Sequence, residues 1–222
     1  MPDLNTQPPL SDEERKKQEE LEQDRMESAM NVGTGFRVLS LIWEVLKVVI
    51  ISLAIIIPIR YFIVQPFFVN GASMEETFQD GNYILIDEVT YRFNDPVRGD
   101  IIVFRYPNDP RQFFIKRVIG LPGETVEVRD NRVTIYNTDR PQGFTLDEST
   151  YLSAGQQTLG SIKTKLDDND YFVMGDNRLH SSDSRYWGAV NRSFITGRVF
   201  YRAWPFSEAG PFKDPSYKTT AQ

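Results

Sequence analysis

Gln112-Phe113-Phe114-Ile115-Lys116-Arg117-Val118-Ile119-Gly120 is the stretch that decides how this chain is read. Aromatic and β-branched side chains dominate it and a glycine closes it, so it reads as a β-strand. Alternate residues of a strand share a face, which puts Phe114, Lys116 and Val118 together. Lys116 therefore has apolar neighbours on its own face. Burial there disfavours the ammonium and lowers the lysine pKa. A lysine that is neutral near neutral pH is a competent general base. The plainer alternative is that Lys116 snorkels to solvent or pairs with an acid.

Outward from this strand the chain punctuates as further strands and turns. Residues 83–86, 100–106, 113–119, 125–128, 132–136, 171–174 and 198–203 are β-branched or aromatic runs. Gly81-Asn82, Arg98-Gly99, Leu121-Pro122-Gly123, Asp130-Asn131 and Gly175-Asp176-Asn177 separate them. Asp130-Asn131 has the composition of a tight hairpin turn. No long helical pattern follows residue 66, so the body is mostly β. Residues 137–170 are polar and irregular and read as an insertion.

Composition narrows the chemistry. Of 222 residues 40% are apolar, enough for a core, and 31 acidic against 25 basic residues give a net charge of −6. That balance argues against nucleic acid as a partner. There is no cysteine and one histidine, His180, so thiolate catalysis, disulfides and histidine-rich or cysteine-based metal sites are out of reach. Acid–base work falls mainly to Asp, Glu, Lys, Ser or Tyr.

Residues 1–35 carry nine acidic and four basic side chains and read as a polar tail. Ser11 followed by Glu14 is a capping-box pattern, so a solvated helix is expected from Ser11 to about Met30. Residues 36–62 read as a membrane anchor. The charge-free run 48–59 alone gives roughly 18 Å of helix, too short for a bilayer core of about 30 Å. Extended back to residue 38 it gives roughly 33 Å and takes in Glu44 and Lys47, which are spaced to pair. Pro58 and Arg60 mark the far end. A buried core helix and a cleavable signal sequence are the competing readings, the second disfavoured by the long acidic stretch in front. Arg15, Lys16, Lys17, Arg25 and Arg37 place the N-terminus on the cytoplasmic side, with residues 63–222 on the other.

Just beyond the anchor, Phe67-Phe68-Val69-Asn70-Gly71-Ala72-Ser73-Met74 ends an apolar run in small residues and then presents one hydroxyl. A serine needs a base to become a nucleophile, and with one histidine available a Ser–Lys pair is the most economical arrangement. A Ser-His-Asp triad through His180 stays formally open. The segment Gly175-Asp176-Asn177-Arg178-Leu179-His180-Ser181-Ser182-Asp183-Ser184-Arg185 is dense in hydrogen-bonding groups and suits the support of a lysine amine. Such residues beside glycine also simply make turns.

Four boxes together carry a resemblance: Ser73-Met74, Arg98-Gly99-Asp100-Ile101-Ile102-Val103-Phe104, Lys116-Arg117-Val118-Ile119-Gly120-Leu121-Pro122-Gly123-Glu124, and Gly175-Asp176-Asn177-Arg178 with Ser181 and Asp183-Ser184-Arg185. In this order, after an apolar span, they resemble type I signal peptidases over roughly residues 36–205. The resemblance implies Ser73 as nucleophile and Lys116 as general base. It also implies a hydrogen bond from Ser181 to the Lys116 amine and a supporting Asp183–Arg185 ion pair, with Asp176 and Arg178 bracing the loop. Substrate would run extended past Phe68, Val69, Gly71, Ala72 and Phe114. The implied fold is a large, mostly antiparallel β-sheet catalytic domain preceded by one N-terminal transmembrane helix.

The implied activity is removal of signal peptides from exported preproteins, without metal or organic cofactor. The protein is expected to act as a monomer in a bacterial plasma membrane or a thylakoid membrane, with preproteins and the lipid bilayer as its partners. Two positions depart from the family pattern. Glu76 stands where the family usually has proline, which bears on how firmly Ser73 is placed. Gly71 stands where some members carry a second hydroxyl for the oxyanion. The rivals are an autoproteolytic Ser–Lys protein of the SOS-repressor type and a catalytically silent, membrane-tethered β domain.

Overall fold

The computed structural model describes residues 11–62, 64–212, 215 and 217. The first ten residues of the expected acidic tail lie outside these. The chain divides into two units, Met1–Ile57 and Pro58–Gln222.

Helix α1 runs from Asp12 to Phe62 without the break expected between about Met30 and residue 36. Its start follows the capping box: the Ser11 N–H donates to Glu14 Oε2 at 3.0 Å and the Glu14 N–H donates to Ser11 Oγ at 3.4 Å. Asp12, Glu13 and Glu14 put negative charge on the first turn, where the helix dipole favours it. The eighteen residues Ser40–Ile57 have a mean hydropathy of 2.4 and none is buried. At 1.5 Å per residue they span about 27 Å, close to the thickness of a bilayer core. Glu44 and Lys47 both stay exposed and make no ion pair with each other among the described residues, contrary to expectation. Pro58 does not end the helix. A proline forfeits its own N–H bond but lets the turn after it continue, and α1 runs on to Phe62.

The second unit is built from twelve strands among the described residues, in two sheets whose every pairing is antiparallel. They are β1 (Val64–Phe68), β2 (Tyr83–Asp87), β3 (Ile101–Tyr106), β4 (Asp109–Gly120), β5 (Thr125–Arg129) and β6 (Arg132–Tyr136). The remainder are β7 (Phe144–Thr145), β8 (Ile162–Lys165), β9 (Asp170–Met174), β10 (Val190–Asn191), β11 (Ile195–Trp204) and β12 (Gly210–Pro211). The larger sheet has the order β1-β2-β11-β3-β4-β9-β10, with β12 on β11; the smaller is β7-β6-β5-β8. Pro66 sits in β1, an outer strand, where a missing N–H leaves no ladder bond unmade.

Periodicity explains why β3 is central. Ile101 and Val103 pack on one side with Met74, Phe78, Ile84 and Ile86, while Ile102 and Phe104 pack on the other with Tyr91, Val118 and Val173. A strand buried on both faces reads as a continuous apolar run, and this one does. Asp130 and Asn131 both have positive φ, 51° and 61°, the backbone that a two-residue type I′ hairpin between β5 and β6 demands. The polar stretch 137–170 is not wholly irregular. It supplies β7 and β8 to the smaller sheet because Phe144 and Ile162 pack onto Val126, Val128, Val133 and Ile135.

Strand β4 is much longer than its neighbour β9. Pairing with β9 involves Arg117, Val118 and Gly120, while Phe113, Phe114, Ile115 and Lys116 pair with β3 on their other side. The first part of β4 therefore keeps an open edge. At its far end Gly120 is pressed against the smaller sheet, and an added Cβ would stand 2.3 Å from Val126 Cγ2 and 2.9 Å from Leu166 Cδ1. Gly120→Ala should therefore destabilise the protein by about 1–3 kcal/mol through overpacking. Thermal melting of the detergent-solubilised chain measures it, and an unchanged midpoint contradicts this packing.

Candidate active site

The turn that carries Ser73 begins where the β1–β2 ladder ends. The Val69 N–H donates to Asn82 O at 2.9 Å and the Gly81 N–H donates to Val69 O at 2.9 Å, so the two strands stay paired one step further. Gly71 then takes φ +93°, open to glycine, and its N–H donates to Asp80 Oδ1 at 2.7 Å. The chain closes into a tight turn in which Thr77 and Phe78 both donate to Met74 O, at 2.9 and 2.7 Å. Met74 and Phe78 are fully buried and hold the turn to the core. From the opposite loop the Asn177 N–H donates to Ser73 O at 3.1 Å. Gly175 has to be glycine, since a Cβ there would stand 2.4 Å from Ser73 O and 2.2 Å from Ser181 Oγ.

Lys116 reaches this turn from β4. Its Nζ donates to Ser73 Oγ at 2.7 Å and to Ile115 O at 2.8 Å, and it lies 5.3 Å from the centre of the Phe114 ring. Lys116 is only 3% exposed. Burial pulls its ammonium down to about 8, against the opposing pull of the Asp183 and Asp176 carboxylates. Both carboxylates are already engaged. Asp183 is gripped by Arg185, with Nε–Oδ1 and Nη2–Oδ2 both at 2.8 Å, and also accepts from the Gly175 N–H at 3.1 Å. Asp176 is gripped by Arg117, with Nε–Oδ1 at 2.8 Å and Nη2–Oδ2 at 2.6 Å, and accepts from Thr77 Oγ1 at 2.5 Å.

Asp176 thus ties the loop to the turn that bears Ser73. Arg178 points away from the pair, donating to Gly175 O at 3.1 Å, to Thr158 Oγ1 at 2.8 Å and to both carboxylate oxygens of Glu148. Ser181 does not make the hydrogen bond to Lys116 that the resemblance implied. Its Oγ is buried without a partner, and the two bonds the lysine amine makes go instead to Ser73 and to Ile115 O. His180 is exposed, so the alternative triad is not assembled: Ser73 Oγ is bonded to Lys116 and Asp183 to Arg185.

Beside the pair lies a cleft of about 420 Å³. Phe68, Val69, Gly71 and Ala72 form one wall, Phe114 and its strand neighbours the other, and His180 and Ser182 reach in from the loop. Phe67 and Phe113 meet edge-on across it, with ring centres 5.3 Å apart. Glu76 adopts φ +78°. Proline is confined near −65°, so this turn is not a proline turn with one side chain exchanged.

Sequence reasoning assigned no role to Arg117, Thr77 or Glu148. A signal for Arg117 was present: adjacent charges in an otherwise apolar strand point to opposite faces, so one of the two must be buried on each side. Thr77 and Glu148 gave none, since their partners lie 99 and 30 residues away.

A hydroxyl bonded to a buried amine at the side of a cleft lined by two extended segments is an arrangement that serine hydrolase chemistry can use. Residues 42–204 match the family model described as signal peptidase, peptidase S26. A probable signal peptidase I-2 from Synechocystis sp. is 35% identical over 185 residues, covering 81% of this chain and 81% of the relative. A signal peptidase I from Leptolyngbya laminosa is 36% identical over 180 residues, covering 78% and 84%. Signal peptidase I V from Bacillus subtilis is 37% identical over 157 residues, covering 68% and 92%. The chain belongs to the signal peptidase family, peptidase S26, and is a serine peptidase.

A lysine whose folded pKa lies below its unfolded value of 10.5 makes the unfolded state bind more protons between about 8 and 10.5. Stability therefore rises with pH across that window, and the penalty is complete below it. Lys116→Met removes the penalty. Its melting point should exceed the parent's at about pH 7, with the gain fading towards the top of the window. Equal gains at both ends would contradict a depressed lysine.

Proposed function

We propose that this protein is a membrane-bound endopeptidase that removes signal peptides from exported preproteins by a Ser73–Lys116 dyad. The observation that carries the proposal is the 2.7 Å contact between Lys116 Nζ and Ser73 Oγ, made by an amine that is 3% exposed. Neutral Lys116 takes the Ser73 proton as Oγ attacks the scissile carbonyl, then passes it to the leaving amine. The ester left on Ser73 is hydrolysed by water that Lys116 deprotonates in turn. The Ser73 N–H is the proposed donor to the oxyanion, a role on the order of 3 kcal/mol in other hydrolases.

Substrate is proposed to lie as an added strand between residues 67–72 and the open edge of β4. In an extended peptide, alternate side chains point the same way. Gly71 and Ala72 leave little depth between Val69 and Phe114, which suits small residues at the first and third positions before the cut. Asp176, Arg178, Asp183 and Arg185 are supporting residues in this reading, and Ser181 is held close behind the dyad. The apolar stretch Ser40–Ile57 is proposed to cross a bacterial plasma or thylakoid membrane once, with the basic residues before it on the cytoplasmic side and the peptidase body on the other. Preproteins and lipid are its partners.

The full chain in detergent, given a preprotein with a small-x-small site, should cut once after the second small residue. Ser73→Ala and Lys116→Ala should each abolish cutting; activity surviving both substitutions would sink the proposal. The acid limb of kcat/KM should fall through an apparent pKa of about 8 and be unmoved by His180→Ala. A limb that shifts with that substitution would point to the histidine instead.

A further inference from the structure

Residues 148–159 belong to no strand, and none of their side chains has a part in the proposed chemistry. They nevertheless touch Arg117, Arg178 and Arg185. Glu148 and Thr158 accept from Arg178, Leu159 O accepts from Arg185 Nη1 at 2.9 Å, and the Arg117 guanidinium lies 4.1 Å from the centre of the Tyr151 ring. A further contact goes to the nucleophile turn itself: Ser153 Oγ donates to Glu76 Oε2. Glu76 is also the one residue of that turn, glycine aside, with left-handed backbone, at φ +78°. Such a conformation is strained for a residue with a Cβ and persists where its surroundings hold it. The residue before it is held as well, since Asn177 Nδ2 donates to Glu75 Oε2 at 3.0 Å.

We propose that residues 148–159 clasp the nucleophile turn, and that Glu76, held by Ser153, is a positioning residue that keeps Ser73 in line with Lys116. This rests on the reading of Ser73 and Lys116 as nucleophile and base. Glu76 touches no reacting group. Its carboxylate faces the clasp, and its backbone sits three residues after Ser73 in a turn closed on Met74 O. Releasing the carboxylate lets φ relax toward the ordinary region, and the turn shifts the hydroxyl. Chemistry between atoms 2.7 Å apart is sensitive to displacements well under 1 Å, whereas the walls that hold substrate are other residues. The effect belongs in kcat and not in KM.

The test uses the full chain in detergent with the same small-x-small preprotein. Ser153 is exposed, so Ser153→Ala removes a donor without disturbing the core. Ser153→Ala and Glu76→Ala should each lower kcat about five- to tenfold with KM within about twofold, and the double variant should be no worse than the poorer single. Glu76→Gln keeps an acceptor oxygen for Ser153 and should retain most of the activity. Without substrate, amide exchange at residues 73–78 should quicken in Ser153→Ala. An unchanged kcat in Ser153→Ala, effects that multiply in the double variant, or a Gln variant as poor as Ala would each overturn the clasp. The exchange measurement stands apart from the dyad: unchanged exchange overturns the clasp even if Ser73→Ala behaves as proposed, and cutting by Ser73→Ala overturns the dyad alone.

Discussion

A buried amine next to a hydroxyl is the constraint on which the rest of the peptidase body depends. Taking an ammonium out of water costs several kcal/mol, and a protein can meet that cost by neutralising the amine or by pairing it. Pairing with a free carboxylate would raise the lysine pKa and keep the amine protonated. Here the two carboxylates that act on Lys116, Asp176 and Asp183, are each gripped by an arginine through two hydrogen bonds. Their remaining pull on the amine is outweighed by its burial. In the proposed reading the arginines thus serve the lysine's chemistry without touching it.

The same arginines explain why the loop 175–185 can be polar and buried at once. A buried ion pair does little for net stability when weighed against apolar residues of the same volume, but removing one partner leaves an unpaired charge at several kcal/mol. Such groups fix geometry more than they add stability. Arg117 joins β4 to Asp176, Asp176 joins the loop to Thr77 in the turn that bears Ser73, and Arg185 joins the loop to Leu159 O. Every element that bears a proposed catalytic group is therefore held by a directional bond to another. Apolar packing holds the turn in place but is non-directional, so the directional bonds are what fix the angle of the contact.

Much of this was open to a reading of residues alone. The two-residue periodicity of 113–119, the hairpin at Asp130-Asn131 and the apolar span all follow from local rules, and the family boxes singled out Ser73 and Lys116. What local rules miss is whatever is decided at long range. Strands β7 and β8 are short and polar on one face, and exist because Phe144 and Ile162 find a cluster built by other strands. The roles of Thr77 and Arg117 depend on Asp176, 99 and 59 residues away. The unbroken helix α1 runs through Gly33, Gly35 and Pro58, each of which argues for a stop when judged singly.

Strand β4 shows how the fold reconciles stability with access. An open sheet edge invites unwanted pairing, and proteins usually blunt it with charge or cover it. Here the exposed beginning of β4 is blunted: Asp109 accepts from Arg111 Nε at 2.8 Å and from Gln112 Nε2 at 3.0 Å, closing the edge with polar groups. The apolar, pairing-competent part is confined to Phe113, Phe114 and Ile115, and the residue after them is Lys116. Pairing resumes on the far side with Arg117 against Met174. In the proposed reading an extended peptide can therefore add to this sheet only over a few residues, where its backbone would pass the amine and the hydroxyl. The short reach of β9 is thus not a defect of the sheet but what leaves this edge bare beside the cleft, and in the proposed reading that short length of edge limits the cut to one place.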